Sequence, residues 1–215
     1  IYHLTNSDKG SGLYEVRAVT RDGTSKWGKA IMPFLGSWYE TAYVIAGKSA
    51  IYVLAGSIEM KEGEHREGYL RVFALTKDTG EIAWSQDLQG FSGFDDRGDY
   101  NVFGFGAHHH PPVYDPKSGL LYVPGLVDNQ EWLVALDTRA GGVSRWEVHV
   151  GGRPPGNPNM ILTAADRIVL ETGEGLLQVD ARTGELVSCP VPLPTADLRV
   201  AATQIAMAPD GTIYA

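Results

Sequence analysis

The sequence predicts an all-β protein, a β-propeller of four-stranded antiparallel blades. Three observations predict this fold: many turn residues, a pattern that occurs four times, and a hairpin pattern that precedes it. The 215 residues include 26 Gly and 12 Pro, which favours many turns and few long helices. With 43% hydrophobic and 20% charged residues, the chain has the composition of a globular protein that can bury a core.

The first recurring pattern is an apolar run, a turn rich in Asp, Thr and Gly, and a second short run. Its copies are YEVRAVTRDGTSKW (14–27), LRVFALTKDTGEIAW (70–84), WLVALDTRAGGVSRW (132–146) and LLQVDARTGELVSC (176–189). Equivalent positions are separated by 56, 61 and 43 residues, close to the period of propeller blades. These positions are Val19, Leu75, Leu136 and Val179.

The hairpin pattern consists of two short β-rich runs around a tight turn. It occupies 42–56, 111–125, 160–173 and 205–215. Joined to the first pattern, it gives repeats of four strands, A to D, and turn residues such as Asp, Gly and Pro suit the tight connections. We therefore predict a single propeller domain over 1–215, with blades at about 1–34, 38–90, 107–150, 159–194 and 203–215. The four to five visible blades leave an open ring, so we expect the chain to be part of a larger ring.

The form ALxxxTGxxxW in 74–84, nearly kept in 135–146, resembles the tryptophan-docking motif of the PQQ-like, or quinoprotein alcohol dehydrogenase-like, β-propellers. PPVYDPKSGLLYV (111–123) is similar to their strand A and B segment. The resemblance implies that Trp27, Trp84 and Trp146 fill the gap between neighbouring sheets, as packing residues rather than a cofactor site. The last copy departs from the motif, because Cys189 is expected at the tryptophan position, and the first copy has a shorter C–D turn.

Loop lengths indicate which side of the disc carries function. The A–B and C–D turns are short, whereas the B–C and D–A connections include 57–68 and 89–110. In an antiparallel four-stranded blade these two kinds of connection emerge on the same face. Long loops on a rigid scaffold are where binding residues concentrate, so we expect a binding face there.

Three consecutive histidines, His108, His109 and His110, lie in the longest of these loops. Side chains alternate along an extended segment, so His108 and His110 are expected on one side and His109 on the other. Two imidazoles on one side could bind a transition metal, act as acid and base, or supply the nucleophile of a transferase. The alternative is a pair of loop histidines hydrogen-bonded to backbone, since two ligands do not make a metal site.

Two further loops carry candidate ligands. The segment FDDRGDYN contains a group of oxygen ligands that could bind Ca²⁺, although its spacing is not that of an EF-hand and a solvated acidic loop is the alternative. These ligands are Asp95, Asp96, Asp99 and Asn101. Arg97 and Asp99 of this loop, and Arg153 in the proline-stiffened segment 151–159, could face a ligand or partner.

Charge and composition argue against several classes of protein function. The net charge of -8 and the pI near 5.2 argue against nucleic acid as a partner, because phosphate binding needs a basic face. No run approaches the roughly 18 apolar residues of a membrane span. The single cysteine, Cys189, can form neither an internal disulfide nor a cysteine-based zinc site.

The function predicted is a non-catalytic PQQ-like propeller that acts as a scaffold in the periplasm, on the cell surface or in the secreted fraction. Its loop-rich face would bind a protein, a small molecule or a glycan, and its open strand edges would pair with missing blades or another chain. The resemblance also implies an alternative, a PQQ- and calcium-dependent alcohol or aldose dehydrogenase with an aspartate as base. The adjacent cysteines common in the family's alcohol dehydrogenases are not in this sequence.

Overall fold

A computed structural model describes residues 1–6, 14–31, 37–60, 66–88, 111–127, 130–152, 160–172, 174–191, 205–208 and 212–214. Within these ranges the chain forms seventeen strands and one 3-10 turn, Thr138–Ala140. None of the described segments is a helix with the length and apolarity needed to cross a membrane.

The strands form five antiparallel sheets, which we number as blades 1 to 5. Blade 1 contains β1 (Tyr2–Asn6), β2 (Tyr14–Val19) and β3 (Ser25–Ile31), which correspond to strands B, C and D of a complete blade. Blade 2 contains β4 (Ser37–Ala46), β5 (Ala50–Met60), β6 (Arg66–Thr76) and β7 (Ile82–Leu88). Blade 3 contains β8 (Val113–Asp115), β9 (Leu120–Val127), β10 (Gln130–Asp137) and β11 (Val143–Gly152). Blade 4 contains β12 (Met160–Leu162), β13 (Arg167–Thr172), β14 (Gly175–Asp180) and β15 (Leu186–Val191), and blade 5 contains β16 (Ala206–Met207) and β17 (Ile213–Tyr214).

Strand order within each complete blade follows the sequence, A to D. Strand A of blade 3, β8, contacts β4 of blade 2 on one side and β12 of blade 4 on the other. Strands A of successive blades are therefore neighbours around a common axis, and strands D lie outermost. The predicted fold class, an all-β propeller of four-stranded antiparallel blades, is confirmed.

Successive blades pack face to face through apolar side chains. We call the face of each blade that contacts the next blade its trailing face, and the face that contacts the preceding blade its leading face. Leu54 and Val72 on the trailing face of blade 2, for example, share a buried cluster with Val123 and Val134 on the leading face of blade 3. Equivalent clusters join blades 1 and 2 and blades 3 and 4. Among the described residues, the apolar alternation of the strands thus produces three separate interfaces rather than one central core.

Aspartates stabilise the tight turns. Asp115 accepts hydrogen bonds from the backbone N–H groups of Lys117 (2.9 Å) and Ser118 (3.1 Å) and from the Ser118 hydroxyl (2.5 Å). Burial works to raise its pKa, but these hydrogen bonds outweigh burial and the pKa is lowered. Such side-chain bonds to the following backbone are why Asp favours turns.

The strand register corrects one expectation about blade 4. In blade 2, Tyr52, Ala74 and Trp84 are paired across three strands. The equivalent row of blade 4 pairs Gln178 with Ser188. Ser188, and not Cys189, therefore occupies the tryptophan position. The expectation was wrong because the bulge beside this row is the same in blades 2 and 4, so the tryptophan position follows the turn glycine by four residues in both.

Candidate functional site

The loop-rich face is the side of the disc on which the B–C and D–A connections emerge, and the predicted ligand residues belong to these connections. They lie outside the described residues: His108, His109, His110, Arg97, Asp99, Arg153, Asp95, Asp96 and Asn101. The metal, ligand and partner roles assigned to them therefore stay predictions. Among the residues that the structure does describe, no three His, Cys, Asp or Glu side chains come together as a metal site.

The three predicted docking tryptophans lie in equivalent places between blades. Each indole lies against a glycine of the next blade's C–D turn, so close that a Cβ on that glycine would be 2.5–2.8 Å from ring carbons. The pairs are Trp27 with Gly80, Trp84 with Gly142, and Trp146 with Gly184. All three glycines have φ between +73° and +84°, a region that other residues rarely adopt. Both backbone conformation and space thus require glycine at these turns.

Each tryptophan also packs on a tyrosine of its own blade. The ring centroids of Tyr52 and Trp84 are 6.0 Å apart, and the pairs in blades 1 and 3 are separated by 6.1 Å and 5.8 Å. An alanine lies between the two rings on the intervening strand, such as Ala74 in blade 2. The small side chain lets two large rings from non-adjacent strands meet above it. We call this unit, with the glycine of the next blade, the Tyr–Trp–Gly lock.

Polar atoms of the lock donate hydrogen bonds to one carbonyl position in the C–D turn of the next blade, three residues before the turn glycine. The indole N–H of Trp27 donates to the Lys77 carbonyl at 2.9 Å. In the third interface the hydroxyl of Tyr122 donates to the equivalent Ala181 carbonyl at 3.0 Å. The indole N–H of Trp146 is buried there and has no hydrogen-bond partner among the described atoms. Burial raises the pKa of Tyr122 to about 12, so its hydroxyl stays a donor at physiological pH.

Two buried carboxylates lie near the loop-rich ends of the middle strands, and sequence reasoning missed them. Glu131 is 0% exposed and Glu171 is 2% exposed. By strand register they occupy the positions of Leu70 and Leu54 in blade 2. A glutamate in place of a core leucine was the available signal, but it can be recognised only once the repeats are aligned by register.

A second missed group lies on the outer part of blade 3, near the same face. The ring of Trp132 contacts the ring of His149 at 5.5 Å between centroids. Nε2 of the exposed His149 lies 3.1 Å from Oε1 of the exposed Gln130. An aromatic ring, an imidazole and an amide side by side provide both a flat apolar surface and hydrogen-bonding groups. This combination can contact a polar ligand that also has an apolar face.

Comparison with known proteins identifies the fold only. No family model and no curated protein matches the chain. Among solved structures, the Dos1 propeller is similar with a TM-score of 0.56 and 12% identity, over 94% of this chain and 48% of that one. A gluconolactonase from Xanthomonas campestris aligns with a TM-score of 0.47 and 16% identity, over 97% of this chain and 62% of that one. The chain spans about half the length of the Dos1 propeller.

The sheet order, the inner ring of strands A and the likeness to a solved propeller together define the class: this chain is a β-propeller.

Proposed function

We propose that the chain is a non-catalytic PQQ-like propeller that serves as an extracytoplasmic scaffold, binding a protein, a small molecule or a glycan through its loop-rich face. The Tyr–Trp–Gly lock carries the proposal, because it recurs at three successive interfaces and gives the described blades a fixed mutual geometry. Its tryptophan and glycine are those of the docking motif on which the resemblance to PQQ-like propellers rests. A rigid disc that presents loops from one face is a suitable platform for partner binding.

The loop-rich face offers described residues with which to test this function. Gln130 and His149 are exposed near that face, whereas Asp78 is exposed in a tight turn on the opposite face. A photo-crosslinking amino acid placed at Gln130 should form adducts with the partner in the native host. The same amino acid at Asp78 is the matched control and should give none. Equal adducts at both positions, or adducts at Asp78 alone, would contradict binding through the loop-rich face.

The second candidate function is a PQQ- and calcium-dependent dehydrogenase acting on an alcohol or aldose. It is supported by the same docking motif, and the residue types of the described inner strands count against it. PQQ carries three carboxylates, and the described side chains of strands β4, β8 and β12 include no lysine or arginine to bind them.

Reconstitution separates the two functions. The protein is titrated with PQQ in the presence of calcium, and binding is followed by calorimetry and by quinone absorbance. Dye-linked oxidation is then assayed with alcohols and aldoses. The scaffold function predicts neither saturable binding nor oxidation. Binding of one equivalent of PQQ, with or without turnover, would reverse the preference.

A further inference from the structure

The leading face of blade 1 differs chemically from the leading faces of blades 2, 3 and 4. Four positions on strands B and C form the centre of each leading face. In blades 2 to 4 all twelve are apolar and at most 5% exposed. In order, they are Ile51, Val53, Phe73 and Leu75; Leu121, Val123, Val134 and Leu136; and Ile168, Leu170, Leu177 and Val179.

The equivalent positions in blade 1 are Ile1, His3, Arg17 and Val19. Two of the four are therefore polar. The guanidinium of Arg17 forms an ion pair with Glu15 at 2.8 Å. His3 is paired with Arg17 on the neighbouring strand. Packing an apolar blade against this face would bury an ion pair and an imidazole, and taking charges out of water costs several kcal/mol per ion.

The C–D turn of blade 1 is a second, independent difference. In blades 2 to 4 the turn glycine lies against the indole of the preceding blade. The corresponding glycine of blade 1, Gly23, also has positive φ (+87°). Its turn is tighter, however, since the Gly23 N–H bonds to the carbonyl of Thr20, three residues back, whereas Gly80 bonds four residues back, to Thr76. The docking surface for an indole is therefore changed in shape.

We propose that the leading face of blade 1 is a hydrated boundary of the propeller, at which the apolar blade-to-blade packing and the Tyr–Trp–Gly lock both end. The inference depends on the polar residue types at the centre of the face, His3 and Arg17, and these are the same whatever sequence precedes Ile1. At this boundary the ring is not joined by the contacts that join blades 1 to 4. Any protein segment that approaches it meets an ion pair and an imidazole, and contacts them through water.

Histidine labelling in the whole protein tests the proposal. Diethyl pyrocarbonate modifies accessible imidazoles, and peptide mass spectrometry resolves His3 from His149, which is exposed and serves as the internal reference. If the boundary is hydrated, His3 should react within about tenfold of the rate of His149, because no opening step is needed for access. A slower reaction of His3, beyond that range, would overturn the proposal.

A substitution pair gives a second measurement. His3→Val with Arg17→Phe installs the residues of blade 2 at the same positions. On a hydrated face this variant should keep its melting temperature and should self-associate on sedimentation, because a new apolar patch is exposed. A rise in melting temperature without self-association would show that the face is buried against an apolar blade. The matched control, Val53→His with Phe73→Arg, places the polar pair in a buried interface and should abolish the cooperative thermal transition.

Discussion

Replacing Gly142 by alanine should destabilise the contact between blades 2 and 3. The residue has φ +84°, and an L-residue held in the left-handed region costs about 1–2 kcal/mol. The new methyl would lie 2.6 Å from Cζ3 of Trp84, so the ring must shift. Overpacking of this kind costs about 1–3 kcal/mol. We therefore expect Gly142→Ala to lower the free energy of unfolding by about 2–5 kcal/mol.

The adjacent glycine is a matched control. Gly141 also has positive φ (+75°), but a Cβ there would meet no atom within 4 Å. Gly141→Ala should therefore cost only the backbone contribution, about 1–2 kcal/mol. Urea unfolding of both variants measures the difference directly. Equal destabilisation by the two substitutions would refute the claim that Gly142 is selected by the approach of the indole.

A double-mutant cycle isolates the ring contact. Trp84→Ala alone should cost about 3–5 kcal/mol, because it leaves a cavity between two blades. In that background no ring opposes the methyl, so Gly142→Ala should cost no more than Gly141→Ala does. The coupling energy between Gly142→Ala and Trp84→Ala should be about 1–3 kcal/mol. Additive effects would place the cost of Gly142→Ala in the backbone and not in the lock.

Three further predictions follow from the polar contacts. Trp27→Phe should cost about 0.5–1.5 kcal/mol more than Trp146→Phe in urea unfolding, because only Trp27 loses a hydrogen bond. Equal costs would contradict this. Burial raises the pKa of Tyr122 to about 12, so its contribution to stability should be lost as pH rises from about 10 to 12. Tyr122→Phe should remove that alkaline phase from the melting temperature profile, and an unchanged profile would exclude it. Hydrogen bonding, chiefly from Arg145, lowers the pKa of Asp137, so stability is present above its unfolded pKa near 3.9 and lost as pH falls through the lower folded value. Asp137→Asn should flatten the acid limb, and an unaltered limb would contradict the assignment.

The fold could be predicted because repetition makes local signals redundant. No single strand in this chain is convincing alone, but a turn, an apolar run and a tryptophan that recur in one order identify a blade. The position of Ser188 shows the limit of that reasoning. Gly80 and Gly142 each precede the tryptophan of their own blade by four residues, and counting four residues from Gly184 gives Ser188. Cys189 lies five residues after Gly184 and therefore falls outside the row.

The candidate site could not be predicted to the same degree, because it depends on the pairing of strands within a blade. Glu131 and Glu171 carry no motif, and their unusual placement is visible only from strand pairing. Trp132 and His149 are seventeen residues apart in sequence and meet because their strands are paired. Side chains that converge from separate strands leave no spacing signature. The sequence therefore predicts the strands of a blade better than the side chains that meet across them.

The lock is selected by shape more than by hydrogen bonding. The first interface uses the N–H of Trp27, and the third uses the hydroxyl of Tyr122 and leaves the N–H of Trp146 without a partner among the described atoms. The contact of ring on glycine, by contrast, is kept in all three interfaces. This ranking agrees with the energies, since burying an indole of 150–250 Å² contributes about 4–6 kcal/mol, whereas one hydrogen bond adds about 0.5–1.5 kcal/mol net. Steric locking also fixes the angle between blades, and that angle sets the positions from which the B–C and D–A connections emerge.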